Sequence, residues 1–189
     1  MHDLMLNTGA TMPVLGLGTW KLSPEDAGRA VASAIEEAGY RHIDCAAVYH
    51  NEPSIGEAFS RIFSRGTIKR EEVFVTSKLW NSEFAPNDVA KACKQTLADL
   101  QLEYLDLYLM HWSIAAVPDP KATQPNSRGE LLDADGFLQT NPVPIHETWE
   151  AMEALHDAGL AITALQRIVE ADFVLVRQVF CRVNEENAR

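Results

Sequence analysis

The chain has 189 residues, which is enough for one domain with a sizeable core and hardly enough for two. Its composition, 47% hydrophobic and 23% charged, is that of an ordinary soluble globular protein. The formal net charge of -11 argues against nucleic acid, or an anionic membrane surface, as the main partner.

The cysteines and the N-terminus indicate the compartment. Cys45, Cys93 and Cys181 are widely spaced and form no pairs typical of a metal site, which favours reduced thiols. No apolar run is long enough to span a bilayer, and the first residues lack the basic and apolar regions of a signal peptide. The sequence therefore predicts a cytoplasmic protein with no membrane partner and no bound metal.

The N-terminal segment is predicted to form a small hairpin and then a buried strand. Residues 4–16 form two short extended pieces around the turn-prone triplet Asn7-Thr8-Gly9. The run over residues 14–20 is apolar and interrupted by glycines, which predicts a first buried strand. Within it, Gly18 would let another backbone or a ligand approach closely.

Strand-like and helical segments then alternate. Ser23 and Pro24 with two following acids are typical of a helix start, and Gly39 ends that helix. The other predicted elements are strands over residues 40–45, 72–77 and 104–110, and helices that begin near Pro53, at Pro86 and at Ile145. Parallel strands joined by right-handed crossovers give a βα-barrel or an open doubly wound sheet. No Gly-x-Gly-x-x-Gly follows the first strand, so a Rossmann phosphate loop is disfavoured.

Two later segments break the alternation. Residues 113–144 form a polar loop so long that it is expected to be functional or mobile. The fourth predicted helix, 145–158, turns Trp149, Met152 and Leu155 inward. A fifth strand is due after Gly159, and residues 161–165 could begin one. However, apolar residues recur every three or four positions from there on, so we predict a terminal helix from about residue 163 to about residue 184.

Three predicted strands end on chemically capable side chains, Asp44, Lys78 and His111, and Tyr49 lies in the loop that follows the first of them. This arrangement predicts one catalytic face at the C-terminal ends of a parallel sheet. A tyrosine has a pKa of ~10, which a nearby lysine lowers, while a carboxylate holds the lysine charged. With a histidine to orient a carbonyl group, the set would act as a general acid over the carbonyl oxygen.

Each of the four side chains also has a purely structural explanation: a turn residue, a packed aromatic, a solvated charge or a core histidine. The combination favours catalysis because three of them end successive strands. Trp20 and Trp80 fall just past strand ends as well, where they either pack in the core or wall an apolar substrate pocket.

At these residues the sequence resembles the aldo-keto reductase family over nearly all of residues 4–160. The segments that carry the resemblance are 6–20, 40–49, 51–52, 76–80 and 105–112. The resemblance implies an α/β, TIM-barrel-like fold, incomplete here, with about four βα units, an N-terminal hairpin and a C-terminal helix. It divides the chain into an N-terminal half-barrel, 1–160, and a helical tail outside the family pattern, 161–189.

The resemblance also implies the roles of individual residues. Tyr49 would protonate the oxygen of a small carbonyl substrate while NADPH delivers a hydride to its carbon. Lys78 and Asp44 would tune Tyr49, and His111 would help orient the substrate. The implied cofactor-binding residues are Gly18, Thr19, Trp20, Lys21 and Asp44. The implied substrate-binding residues are Trp20, Val48, Trp80, His111 and Trp112.

Two interpretations stay open because the sequence departs from the family pattern. Residues 161–165 replace a strand that ends in Gly-Val-Ser-Asn, Ser113 stands where proline is common, and the later segments that grip NADPH have no counterpart. The chain is therefore either an NADPH-dependent reductase of aldehydes or ketones, or a catalytically inactive truncated remnant. A remnant would act through partner binding or through dimerisation at the open sheet edge, which the terminal helix or a second copy would cover.

Overall fold

The computed structural model of the protein describes residues 3–6, 8–121, 129 and 131–163. These residues form a small hairpin, a parallel sheet and the helices that cover one face of that sheet. In chain order the elements are β1 (Asp3–Met5), β2 (Thr11–Pro13), β3 (Leu17–Gly18), α1 (Pro24–Glu36), β4 (His42–Asp44), α2 (Glu52–Ser64), β5 (Phe74–Leu79), α3 (Pro86–Leu100), β6 (Leu105–Met110), α4 (Ile145–Asp157) and β7 (Ala161–Thr163).

The main sheet has five strands in the order of the chain, β3-β4-β5-β6-β7, and every neighbouring pair is parallel. Because each strand lies beside the next one along the chain, the connections are the βα crossovers of a barrel rather than of a sheet whose strand order reverses. The predicted α/β class and the incomplete TIM-barrel-like architecture are confirmed. None of the helices in the described part of the chain has both the length and the apolarity to cross a membrane.

The predicted N-terminal hairpin is present. β1 and β2 pair antiparallel, with Asp3 opposite Pro13. Met12 from this hairpin packs against Phe74 and Leu107 of the sheet in a small apolar cluster. His42 donates its Nδ1 hydrogen to the carbonyl of Pro13 at 3.0 Å, which ties the hairpin to β4.

The first strand of the main sheet differs from the prediction. Only Leu17 and Gly18 form a strand, and Val14 and Leu15 remain 45% and 46% exposed. Among the described residues β3 has one strand neighbour, β4, so it is an edge. The apolar run looks like a buried strand in the sequence because a closed barrel would cover both of its sides.

The helix starts agree with the sequence signals. Ser23 caps α1, since its hydroxyl oxygen accepts a hydrogen bond from the backbone N–H of Asp26 at 3.1 Å.

The inward face of α4 differs from the prediction. Thr148 is fully buried and donates its hydroxyl hydrogen to the carbonyl of Phe84 at 2.8 Å. Trp149 is half-buried instead, and its indole N–H donates to Glu153.

The C-terminal end of the described chain is a strand, where the sequence left open either a strand or the start of a helix. Residues Ala161–Thr163 form β7, which pairs parallel with β6 through Leu105 and Leu107. The fifth strand that the sequence left open is therefore present, and a helix does not begin as early as Thr163. The rest of the predicted terminal helix lies outside the described residues.

Two glycines let the helices of the outer layer come into close contact. A Cβ atom added at Gly56 would lie 2.1 Å from the carbonyl oxygen of Asp99 and 2.7 Å from the backbone carbonyl carbon of Leu100. One added at Gly28 would lie 2.6 Å from the carbonyl oxygen of Ser54. Since the obstructing atoms are backbone, α1, α2 and α3 would have to move apart to admit a methyl group.

We expect Gly56→Ala to lower the free energy of unfolding by about 3 kcal/mol or more, because overpacking a helix contact forces backbone shifts. Urea unfolding followed by circular dichroism measures the loss. Gly18→Ala is the matched control, since a Cβ atom there meets nothing within 4 Å. Equal stability of the Gly56 variant and the wild type would contradict the close contact of α2 with α3.

Candidate active site

The four predicted catalytic side chains meet at the C-terminal ends of the strands. Asp44 is the last residue of β4, Lys78 is the second-last residue of β5, and His111 directly follows β6. Tyr49 ends a 3₁₀ turn, Ala47–Tyr49, that follows β4. The parallel arrangement places all these strand ends at one edge of the sheet, so side chains far apart in the sequence come into contact.

An ion pair lies at the centre of the site. The ammonium of Lys78 donates to Oδ1 of Asp44 at 2.6 Å and to the carbonyl oxygen of Cys45 at 2.8 Å. The two charged side chains are only 11% and 9% exposed. Burial alone would lower the pKa of Lys78, but the charges of Asp44 and Tyr49 and the hydrogen bond to Asp44 outweigh it and raise that pKa. Lys78 is therefore held as a cation in a fixed position.

The hydroxyl oxygen of Tyr49 lies 3.4 Å from the ammonium of Lys78. Burial raises the pKa of Tyr49, and the charge of Lys78 lowers it only in part, so the net shift is upward. Lys78 thus acts in the predicted direction, but the protein as a whole does not lower this pKa. At neutral pH the hydroxyl keeps its proton, which is the state that a proton donor requires.

His111 lies edge-on to two other rings of the site. Its ring centroid is 5.7 Å from that of Tyr49 and 5.0 Å from that of Trp80. Burial and the charge of Lys78 lower the pKa of His111 to about 3, so the imidazole is neutral at physiological pH. Its buried Nδ1 has no hydrogen-bond partner among the described residues. A neutral imidazole beside the Tyr49 ring has one N–H with which to bind a carbonyl oxygen.

The predicted substrate-binding side chains differ in how far they are buried. Trp20 and Trp112 are 55% and 58% exposed, which is unusual for such large apolar side chains. Val48 and Trp80 are half-buried. Exposed aromatic rings that follow strand ends on the catalytic side are typical of the wall of an open ligand cleft. The assignment of individual residues to substrate remains a prediction.

The predicted cofactor-binding residues divide into two groups. Thr19 is fully buried, and its backbone N–H and its hydroxyl both donate to the carbonyl of Asp44 at 3.0 Å. Its own polar groups are therefore engaged inside the protein. Gly18 instead has open space where a Cβ atom would be, and the ammonium of Lys21 lies 4.5 Å from the Trp20 ring centroid. Gly18, Trp20 and Lys21, unlike Thr19, are exposed at the end of β3.

Sequence reasoning gave no role to two further residues of the site, Asn51 and Glu52. Asn51 is fully buried, and its side-chain amide donates to the carbonyls of Thr19 and Leu22 at 2.9 and 3.1 Å. Glu52 is 2% exposed and accepts a hydrogen bond from the hydroxyl of Ser77 at 2.6 Å. A signal for Glu52 was present, because it falls on the apolar stripe of α2 at helical spacing from Ile55 and Phe59.

Burial raises the pKa of Glu52 from 4.5 to about 7, although the hydrogen bond from Ser77 opposes the shift. The groups whose charges or hydrogen bonds act on this carboxyl are Ser77 and Lys78 from β5 and Thr96 and Asp99 from α3. The folded protein therefore holds a proton that the unfolded chain releases between pH ~4.5 and ~7, so stability falls as the pH rises through that range.

We expect Glu52→Gln to remove this loss, because the amide stays neutral and its oxygen still accepts from Ser77. At pH 8 the variant should exceed the wild type in unfolding free energy by about 3 kcal/mol, as the shift in the Glu52 pKa predicts. Urea unfolding at several pH values measures the difference. Glu57→Gln, on the exposed face of the same helix, is the control. Parallel pH profiles for Glu52→Gln and wild type would contradict the prediction.

Comparison with known proteins places this geometry in a family. The model of the aldo/keto reductase family matches residues 14–163. Human aldo-keto reductase family 1 member A1 is 50% identical over 158 residues, covering 83% of this chain and 46% of the human protein. The mouse protein of the same name is 49% identical over 159 residues. The chain thus spans about half the length of the curated relatives it matches.

Solved structures agree. The aldose reductase from Schistosoma japonicum superposes with a TM-score of 0.77 at 45% sequence identity, over 86% of this chain and 52% of that one. The aldose reductase from Giardia lamblia gives a TM-score of 0.71 at 46% identity, over 77% of this chain and 46% of that one.

Proposed function

The chain belongs to the aldo/keto reductase family, and on that premise we propose that its site reduces small aldehydes or ketones to alcohols with NADPH. The observation that carries the proposal is the contact between the Lys78–Asp44 ion pair and Tyr49. The protonated phenol of Tyr49 lies beside the fixed cation of Lys78. This cation would stabilise the tyrosinate that forms when the phenol gives up its proton. That pairing is what proton transfer to a carbonyl oxygen requires.

In the proposed reaction, the N–H of neutral His111 and the hydroxyl of Tyr49 bind the carbonyl oxygen of the substrate. NADPH, when bound, supplies the hydride that forms the new bond at the carbonyl carbon. As the carbonyl π-electron pair moves to oxygen, Tyr49 transfers its proton there and the alcohol is complete. The resulting tyrosinate is stabilised by the Lys78 ammonium and takes a proton back from solvent. Asp44 keeps Lys78 charged and in place throughout.

Three residues near β3 fit the nicotinamide end of NADPH. Gly18 leaves open space on the strand, and the exposed Trp20 and Lys21 lie two and three residues after it. The polar groups of Thr19 are already engaged, so its contribution to the cofactor would be shape rather than a hydrogen bond. The carboxylate of Asp44 would contribute through the position of Lys78.

A second candidate function rests on the edge of the sheet. β3 has a strand neighbour on one side only among the described residues, and Val14 and Leu15 beside it are exposed. An open edge with apolar neighbours favours pairing with another chain. On this alternative the chain is catalytically inactive and acts through partner binding or dimerisation.

NADPH titration of the purified chain separates the two proposals. We expect saturable quenching of tryptophan fluorescence, and NADPH oxidation that depends on an added small aldehyde. Trp20→Phe should weaken the quenching, whereas Trp149→Phe, on α4, should not. The absence of binding at millimolar NADPH, together with a dimer in analytical ultracentrifugation, would overturn the reductase proposal and favour the alternative.

A further inference from the structure

We infer that Glu52 is a positioning residue for the proposed reaction, one that fixes the Lys78 ammonium against the Tyr49 hydroxyl through its hydrogen bond with Ser77. The inference rests on the proposed function, because it assigns a role in that reaction to a residue that does not touch the reacting atoms. It adds a carboxyl on the helix side of the sheet to the four residues on the catalytic side.

Side chains alternate between the two faces of the sheet along β5. Ser77 and Lys78 are neighbours in this strand, so their side chains point to opposite faces of the sheet. On one face the Lys78 ammonium binds Asp44 at 2.6 Å, and on the other face the Ser77 hydroxyl binds Glu52 at the same distance. The end of β5 is therefore held from both sides at the residue pair that carries the catalytic cation.

Glu52 and Tyr49 lie on one short segment of the chain. Between them, Asn51 donates to the carbonyl of Thr19, and Thr19 in turn donates to the carbonyl of Asp44. The segment 49–52 thus contacts the strand of Lys78 directly through Glu52, and it is linked to the end of the Asp44 strand through Thr19, which Asn51 binds. Because Tyr49 is three residues from Glu52, the hydrogen bond to Ser77 also sets the distance from Tyr49 to Lys78.

A carboxyl group at position 52 is energetically unfavourable, because burial removes it from water. Glu52 lies on the apolar face of α2, where a leucine or methionine would pack without desolvating a charge. Its second oxygen, Oε2, is buried and has no hydrogen-bond partner among the described residues. The Thr96 hydroxyl also acts on this carboxyl, but Ser77 makes the short hydrogen bond to it, at 2.6 Å, which points to that bond as the reason for a carboxyl on an apolar helix face.

The test measures the surroundings of Tyr49 without cofactor. Fluorotyrosine is incorporated into the full chain, and the fluorine NMR resonance of position 49 is assigned by its loss in Tyr49→Phe and followed against pH. In Glu52→Ala we expect this resonance to shift and the pKa of residue 49 to rise further, because Lys78 withdraws. We also expect kcat to fall by about ten- to a hundredfold, the usual effect of a small misplacement. Glu52→Gln keeps an acceptor for Ser77 and should restore the wild-type resonance and pKa.

Asp106→Ala is the matched control. Asp106 accepts the backbone N–H of Val75 at 2.8 Å, so it holds the same strand by a carboxylate, but near the opposite end. We expect this variant to lose stability while the resonance and pKa of residue 49 stay unchanged. If Glu52→Ala does not fold, Ser77→Ala removes the same hydrogen bond with a smaller change in volume and should produce the same shift.

An unchanged residue-49 pKa in Glu52→Ala or Ser77→Ala, or a Gln variant that behaves like the Ala variant, would overturn the positioning role. The NMR measurement needs neither NADPH nor turnover. A wild-type chain that binds no NADPH would therefore count against the proposed function alone, and the result for Glu52 would still stand.

Discussion

Tyr49→Phe is expected to lower kcat for aldehyde reduction by about 10²- to 10⁴-fold, the range that a positioned general acid contributes. The substitution removes only the hydroxyl that lies 3.4 Å from the Lys78 ammonium. The ring contacts with His111 and Lys78 remain, at 5.7 and 5.1 Å from the Tyr49 centroid, so the site should keep its shape. NADPH affinity should therefore change little while turnover disappears. Steady-state kinetics and fluorescence titration on the same preparation measure both.

Tyr108→Phe is the control for the loss of a buried tyrosine hydroxyl. Tyr108 is fully buried in β6 with its ring in the main apolar core, and its hydroxyl has no hydrogen-bond partner among the described residues. The same chemical change there should leave kcat unaltered. Wild-type turnover by Tyr49→Phe would mean that another group protonates the carbonyl oxygen.

Asp44→Asn is expected to lower the free energy of unfolding at pH 7 by about 3 to 5 kcal/mol, because it leaves the Lys78 cation buried without its counter-ion. With the Asp44 charge gone, burial dominates and the pKa of Lys78 falls below its ordinary value. The unfolded chain then binds the proton more tightly than the folded one. The deficit should therefore shrink as the pH rises from neutral toward the ordinary lysine pKa of ~10.4.

The double variant Asp44→Asn with Lys78→Met shows whether the cost comes from the stranded charge. Removing both partners of a buried pair is often nearly neutral, so most of the lost stability should return. Urea unfolding of the two single variants and the double variant completes the cycle. A loss of under ~0.5 kcal/mol in Asp44→Asn would indicate that water reaches Lys78 and that the pair is not effectively buried.

The convergence of the four candidate residues could be predicted from the sequence because the signal is local to each strand. Asp44, Lys78 and His111 each end or follow a short apolar run, and parallel topology brings such ends together whatever the details of packing. The helix starts were equally predictable, since Ser23 and the prolines act within one turn. The N-terminal hairpin follows from its turn residues in the same way.

Other features depend on contacts that the sequence does not show. β7 forms because Ala161 and Thr163 pair with Leu105 and Leu107, residues far away in the chain, although the local spacing favours a helix. β3 is short and exposed because, among the described residues, only β4 pairs with it and its other side has no strand neighbour. The pKa of Tyr49 rises rather than falls because burial, a property of the whole fold, exceeds the effect of one lysine.

The position of the four candidate residues along the chain has a consequence for how members of this family can be recombined. Asp44, Tyr49, Lys78 and His111 all come from the stretch between β4 and the residue after β6. A genetic recombination with its crossover after β7 would transfer all four candidate residues in a single fragment. Chimaeras joined there would take the proposed proton-transfer residues from one parent and the segment after β7 from the other.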